Sequence, residues 1–326
     1  MDWSGGLALA VGSMDLRAER VVVTGASGFL GQHVMADLKS AGVQPLAVRS
    51  SEYDLRDEPQ IARMYSDLRP TVVFHLAAEV GGIGANRKYP GQFFYNNLVM
   101  GANLIEYGRR HHLRKFVSVG TVCSYPKITP VPFRESDIWN GYPEETNAPY
   151  GLAKKMQLVQ LQAYRAEYGF CGIHLLPSNL YGPYDHFDED NGHVIPAMIL
   201  KFARAVAEGA DEVVLWGDGS PTREFLYAGD CARGLRLAAE ALDEPTPINL
   251  GTGVETPIHA VASLIAAELG YGGRIRWDSS KPNGQPRRSL DVQQARELFG
   301  FEAQTPLVEG LRRTVQWYRS QIQAGG

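Results

Sequence analysis

The sequence predicts an α/β fold: a doubly wound parallel sheet with a smaller, interleaved C-terminal α/β lobe. Three observations carry this expectation. The β-branched run Val21-Val22-Val23 passes through a glycine turn directly into an amphipathic helix. Strand-like and helix-like segments then alternate along the chain, as a parallel sheet with crossover helices requires. Strand segments such as Val72 to Ala78 are continuously apolar, as expected where both faces of a sheet are covered.

The first unit, Thr24-Gly25-Ala26-Ser27-Gly28-Phe29-Leu30-Gly31, has glycines in a G-x-x-G-x-x-G pattern. Gly25 suits a tight turn, Gly28 lets backbone approach a pyrophosphate, and Gly31 lets helix pack on strand. The free N–H groups and dipole of the following helix favour an anion there. A bare strand-turn-helix is the competing reading, and the position at the head of an alternating series favours nucleotide binding. Gln44 to Val48 reads as the second strand, ending at Arg49-Ser50-Ser51. An acid at this point would hold a ribose 2′-OH; a basic residue with two hydroxyls suits a 2′-phosphate, so NADP is expected over NAD. A solvated loop charge is the other reading of Arg49. Asp54 has two roles open to it, reaching the adenine or capping the next helix.

Val72 to Ala78 forms the third strand, with His75 expected as a core histidine, and its small end residues let a cofactor lie against backbone. Gly81 to Asn86 reads as a flexible loop, Phe93 to His112 as a long helix, and Lys115 to Val119 as the fourth strand. Gly172 to Pro177 is a further strand. The Pro/Gly/Asp-rich loop Ser178 to Phe187 marks where the chain leaves the first sheet. Gly192 to Pro196 introduces a helix to about Glu208. Strands at Glu212 to Trp216 and Arg223 to Tyr227 flank a turn at Gly217 to Pro221. Asp230 is expected to cap a helix to Leu242, after which Ile248 to Leu250 returns to the sheet. Helix (Pro257 to Leu269), strand (Arg274 to Trp277), polar loop (Ser279 to Arg288) and two terminal helices complete the chain. The organisation expected is an N-terminal extension (1–17), a nucleotide domain (18–182, with 223–250 returning to it) and a second lobe (183–222 and 251–326). Met14 is a possible native start.

With 326 residues, 44% of them hydrophobic, the chain has enough apolar material for a sizeable core. A net charge of −4 without a long basic run argues against nucleic acid or an anionic membrane as partner. No apolar run reaches the roughly 18 residues of a membrane span, and Leu7 to Val11 is too short for a signal-peptide core. Cys123, Cys171 and Cys231 are odd in number and unclustered, so neither a disulfide framework nor a metal site is expected. A cytoplasmic protein is the default.

Chemistry concentrates around the end of the fourth strand. Tyr150 and Lys154 sit one turn apart on one face of a helix opening at Ala148. An ammonium beside a phenol favours the phenolate and brings its proton within reach of acid–base work. Thr121, at the strand end, can donate a hydrogen bond to the same carbonyl oxygen. Tyr-x-x-x-Lys alone also fits an exposed helix face; its place in the βα series favours hydride chemistry on a carbonyl.

At this point the chain is identified as resembling the extended short-chain dehydrogenase/reductases, with their Rossmann-type sheet. More narrowly it resembles the branch that epimerises and reduces GDP-4-keto-6-deoxy sugars. Gly25 to Gly31, Ala77-Ala78 with Val80-Gly81-Gly82-Ile83, Cys123 with Tyr125-Pro126-Lys127, Thr146-Asn147 with Pro149-Tyr150, Asn179 to Pro183, His193-Val194-Ile195-Pro196, Trp216 through Phe225 and Lys281-Pro282-Asn283-Gly284 carry the resemblance. It covers nearly all of residues 18–320.

The resemblance implies 3,5-epimerisation of GDP-4-keto-6-deoxy-D-mannose and NADPH-dependent reduction of its C4 ketone. Thr121, Tyr150 and Lys154 would be the reductase triad, and Cys123 with His193 the acid–base pair for epimerisation. A C4 ketone acidifies the C3 and C5 protons, and thiol and imidazole have accessible pKa values for moving them. A small strand residue and a helix-start residue are the bland readings of Cys123 and His193. The cofactor set expected is Gly25, Ser27, Gly28, Phe29, Leu30, Gly31, Arg49, Asp54, Leu76, Ala77, Ala78, Val119, Tyr150, Lys154, Pro177, Asn179 and Leu180. Asn179, His193, Lys201, Trp216, Arg223 and Asn283 would hold the nucleotide sugar, preferably a GDP-sugar. A homodimer is implied as well. The sequence departs from the pattern where Thr121 replaces serine, Lys201 arginine and Asn283 aspartate, with Glu79 at a variable position. Two other readings stay open: an epimerase or 4-ketoreductase for a different nucleotide sugar, and a non-catalytic nucleotide sensor.

Overall fold

Val21 and Val23 are buried in one apolar core and Val22 in another, the two-sided burial that the apolar run implies for a parallel strand. A computed structural model of the chain describes residues 13–81, 83–188, 192–281 and 283–325. Most of the expected extension, with Gly82 and Pro282 of the resemblance, lies outside the described residues.

The chain runs β1 (Val21–Thr24), α1 (Phe29–Ser40), β2 (Leu46–Val48), α2 (Glu58–Leu68), β3 (Val72–His75), α3 (Ile83–Lys88), α4 (Pro90–Arg110), β4 (Lys115–Val119), α5 (Ala148–Tyr168) and β5 (Gly172–Pro177). It continues with β6 (Asn179–Tyr181), α6 (Val194–Glu208), β7 (Glu212–Trp216), β8 (Thr222–Tyr227), α7 (Ala228–Ala241) and β9 (Pro247–Leu250). The last elements are β10 (Glu255–Pro257), α8 (Ile258–Leu269), β11 (Arg274–Asp278), β12 (Arg287–Arg288), α9 (Gln293–Phe299) and α10 (Leu307–Gly325).

Six parallel strands form the large sheet in the order β2-β1-β3-β4-β5-β9. Val34, Leu38, Leu235 and Ala239 of α1 and α7 cover one face, and Ile61, Met64, Met100 and Leu104 of α2 and α4 cover the other. The fold expected from the sequence is therefore the fold observed. The order reverses between β1 and β3, where parallel α/β sheets open a ligand crevice at their carboxyl edge. A second sheet joins β8 to β10, β12 and β6, and β7 pairs with β11. Thus β8 stands outside the large sheet, while α7 and β9 return to it. A separate core, with Ile199, Phe202, Val261 and Ile265, holds α6 and α8 together.

Two local expectations change. Residues from Ile83 onward, expected as loop, form the short helix α3. Asp230 lies inside the first turn of α7 and caps nothing; its buried carboxylate instead accepts the Gln304 and Thr305 N–H groups at 3.0 and 2.7 Å, pinning the segment before α10.

Candidate active site

The carboxyl ends of the strands and the second lobe enclose one cleft of ≈ 1710 Å³. A single small-molecule site takes roughly 300–1,000 Å³, so this cleft has room for two ligands. Every site residue expected from the sequence lines it except Arg49.

At the nucleotide end, Gly25 adopts φ +67°, and a Cβ there would stand 2.7 Å from the Ala77 nitrogen. Turn and strand thus approach as only glycine allows. Gly28 precedes α1 without a side-chain cap, and the first turn of α1 has no acid. Gly28, Phe29 and Leu30 line the cleft, so the free N–H groups of that turn form a cradle that can take an anion. Arg49 is exposed away from the cleft. Its carbonyl accepts the Glu52 and Tyr53 N–H groups, both at 3.0 Å, and this tight turn brings Ser50 and Tyr53 to Arg56 to the cleft instead. Arg56 is the guanidinium presented there, paired with Asp54 at 2.6 Å and Glu79 at 3.4 Å. Arg56 holds the Asp54 carboxyl down to about 2. Asp57, not Asp54, precedes α2 as its N-cap residue.

Beyond β4 the chain makes a single 3₁₀ turn, Val122–Ser124, with Thr121 as its cap. Thr121 Oγ1 accepts the Cys123 N–H at 3.2 Å, which leaves the hydroxyl hydrogen for a carbonyl oxygen. Helix α5 packs directly on this turn: a Cβ at Gly151 would meet the Cys123 carbonyl oxygen at 2.4 Å. Ser124 Oγ donates to the Gly151 carbonyl at 2.9 Å. That contact brings Tyr150 to the Cys123 end of β4.

Burial and the neighbouring Cys123 thiol push the Tyr150 phenol well above its ordinary range. The sequence pointed the other way, toward a phenol lowered by Lys154. Lys154 is itself only 2% exposed, and burial lowers it to about 8. Desolvation therefore opposes charge on both partners. A phenol that keeps its proton suits an acid that protonates a reduced carbonyl oxygen.

His193 stands at the cap of α6 and brings the second lobe into the same cleft. Its Nδ1 donates to Asp185 Oδ1 at 3.2 Å, and that hydrogen bond raises the imidazole above its ordinary pKa. With Nδ1 committed, Nε2 is the nitrogen that can serve a substrate.

At the far end Arg223 and Arg288 are paired in register on β8 and β12. Burial, together with the Arg288 charge, lowers Arg223 to about 10. Neither has a carboxylate partner among the described residues, so the pair leaves positive charge available for an anion. Arg288 Nη1 also reaches Cys123 Sγ at 3.9 Å. Trp216 is 62% exposed, with the Lys201 and Lys281 ammonium groups 6.0 and 5.6 Å from its ring centre. Asn179 Nδ2 donates to the Glu224 carbonyl at 2.8 Å. Asn283 Oδ1 accepts the Asp218 N–H at 2.9 Å, holding the turn beside Trp216. Sequence reasoning missed Asp185, Arg56 and Arg288. Asp185 stood in the loop Ser178 to Phe187 already singled out, and Arg56 two residues past Asp54; Arg288 lay in a segment read as loop, and its register with Arg223 has no local signature.

The family model for the NAD dependent epimerase/dehydratase family matches residues 21–251. The chain belongs to this family. Among its epimerase/dehydratase relatives, the GDP-L-fucose synthase of Escherichia coli (strain K12) is 37% identical over 310 residues, 92% of this chain and 96% of that protein. The GDP-L-colitose synthase of Yersinia pseudotuberculosis is 36% identical over 302 residues, 92% of this chain and 97% of that protein. A crystal structure of a GDP-L-fucose synthetase from Naegleria fowleri bound to NADP matches with a TM-score of 0.90 at 28% identity, covering 96% of this chain and 97% of that one.

Proposed function

We propose that this epimerase/dehydratase family member converts GDP-4-keto-6-deoxy-D-mannose to GDP-L-fucose by 3,5-epimerisation followed by NADPH-dependent reduction at C4. The observation that carries the reading is the convergence of two sets of groups on one cleft. Thr121, Tyr150 and Lys154 suit carbonyl reduction, and Cys123 and His193 line the same walls. The relatives named GDP-L-fucose synthase support the substrate.

The cradle at α1 fits the pyrophosphate of NADP(H), with Arg56 and Ser50 at the adenosine end. When bound, NADPH supplies the hydride for C4. Cys123 and His193 take a proton from C3 or C5 on one face and return one on the other, at the carbons acidified by the ketone. Thr121 donates a hydrogen bond to the C4 oxygen, and Tyr150 gives that oxygen its proton. Arg223 and Arg288 hold the diphosphate of the sugar nucleotide, and Trp216 offers a ring face to its base. The outward faces of α4 and α5 leave Phe94, Tyr95, Met156 and Val159 exposed, which supports a homodimer through these helices. No helix among the described residues is long and apolar enough to cross a membrane, and three unpaired cysteines suit the cytoplasm.

Incubation with GDP-4-keto-6-deoxy-mannose and NADPH in D₂O tests the reading. Deuterium at C3 and C5 with stoichiometric NADPH oxidation is expected. A folded sample that neither exchanges these protons nor oxidises NADPH overturns it. The second reading is an epimerase or 4-ketoreductase acting on a different nucleotide sugar, favoured by the similarity to a GDP-L-colitose synthase. Faster turnover of a GDP-4-keto-3,6-dideoxy sugar would select it.

A further inference from the structure

The segment Gln285 to Asp291 is bonded to β8 on one side and to the chain beyond Cys123 on the other. The Thr222 N–H donates to the Pro286 carbonyl at 2.9 Å, and β12 pairs with β8. The Phe133 N–H donates to the Ser289 carbonyl at 2.8 Å, and the Asp291 N–H to the Phe133 carbonyl at 2.9 Å. Leu290 shares an apolar core with Val122 and Tyr125, on either side of Cys123. The buried Glu224 carboxylate accepts the Leu290 N–H at 2.7 Å and the Ser289 hydroxyl at 3.1 Å. Backbone around Arg288 is thus held, and the direction of its side chain is left to its neighbours.

Gln285 sets that direction. Its Oε1 accepts Arg288 Nε at 3.0 Å and Arg288 Nη2 as well. Its Nε2 donates to the Lys127 carbonyl at 2.8 Å. The reverse amide orientation would set oxygen against the Lys127 carbonyl and N–H against the guanidinium, so the bonds fix which end is which. Arg288 Nη1 is left over, and it faces Cys123 Sγ at 3.9 Å. Lys127 lies four residues past Cys123, so Gln285 grips the same stretch of chain that carries the thiol. Cys123, Lys127, Gln285 and Arg288 all line the cleft. An amide, unlike a carboxylate, holds the guanidinium without neutralising it.

We propose, resting on the exchange role given to Cys123 above, that Gln285 is a positioning residue for that step. It turns the Arg288 guanidinium so that Nη1 faces the sulfur, and it ties that guanidinium to the chain bearing Cys123. Whenever Cys123 is without its proton, the sulfur carries a charge that the facing guanidinium offsets. As the thiolate takes a proton from carbon, the S–H bond forms and the C–H electron pair moves into the C4 enolate. Reduction at C4 asks nothing of the sulfur, so Gln285 serves exchange and not hydride transfer.

A double-mutant cycle tests this. Gln285→Met is expected to lower kcat for C3/C5 deuterium exchange about tenfold, the loss of one hydrogen bond to a charged group. Its kcat for reduction of already epimerised substrate is expected to stay within about twofold. In an Arg288→Met background the same substitution is expected to cost exchange nothing further. Equal loss of exchange and reduction overturns the proposal, and so does a Gln285→Met effect that persists without Arg288. Should Gln285→Met fail to fold, Gln285→Glu replaces it: its charge neutralises the guanidinium, and the same split is expected. Crystal structures of the wild type and the variant need no turnover. Arg288 Nη1 facing Cys123 in the wild type and displaced in Gln285→Met is expected; a guanidinium that keeps its place in both overturns the proposal. A wild type that exchanges no proton at C3 or C5 overturns the proposed function, and the crystal structures alone then decide whether Gln285 places Arg288.

Discussion

Asp185 holds His193: its buried carboxylate accepts the imidazole Nδ1–H at 3.2 Å, from a loop outside the helix that His193 caps. Removing the charge removes the main cause of the raised imidazole pKa. For Asp185→Asn, the His193-dependent inflection in the pH profile of C3/C5 deuterium exchange moves to lower pH. Exchange near neutral pH slows about tenfold or more. Reduction at C4, measured on substrate already epimerised, changes far less.

Lys154 is expected to govern the alkaline side of reduction. The profile of kcat/KM reports groups of the free enzyme, so activity falls as pH rises through about 8 and the ammonium is lost. The same burial destabilises the fold below that pH, because the unfolded chain takes up the lysine proton more readily. The stability contribution rises between pH 8 and 10.5. Across that window a shift of this size amounts to about 3 kcal/mol. Lys154→Met therefore abolishes reduction yet raises Tm at pH 7 by several degrees, read by calorimetry.

Arg56, and not the Arg49 that the sequence suggested, presents its guanidinium to the cleft. Arg49→Ala leaves the KM for NADPH within about twofold. Arg56→Ala raises it by about tenfold, the cost of one hydrogen bond to a charged group. Steady-state kinetics with NADPH and NADH in parallel checks both, and the larger loss is expected with NADPH.

Gly151→Ala places a methyl 2.4 Å from the Cys123 carbonyl oxygen, where backbone must move. Overpacking of this kind costs about 1–3 kcal/mol. Because the contact joins α5 to the turn bearing Thr121 and Cys123, reduction and proton exchange fall together. Denaturant unfolding and the two rate assays show whether all three respond.

Much of this protein was legible along its sequence. Strands β1 and β3 declare themselves by the apolar runs Val21-Val22-Val23 and Val72-Val73-Phe74, since a parallel strand covered on both faces has no solvent side to alternate with. Gly25 and the start of α1 are visible because turn and helix-start chemistry involves neighbouring residues. Tyr150 and Lys154 are visible because a helix places residues four apart on one face. The sequence by itself determined these elements, and with them the class of chemistry.

Register and burial were decided only in three dimensions. Arg223 and Arg288 are adjacent because β12 pairs with β8, a match made by packing between segments far apart in the chain. The row of Thr24, His75, Ser118 and His174 exists through the alignment of four strands, each of which reads locally as core. Arg49 leaves the cleft because one carbonyl closes a turn after β2. The direction of the Tyr150 shift, set by desolvation, follows from how completely α5 is covered and not from the spacing of tyrosine and lysine.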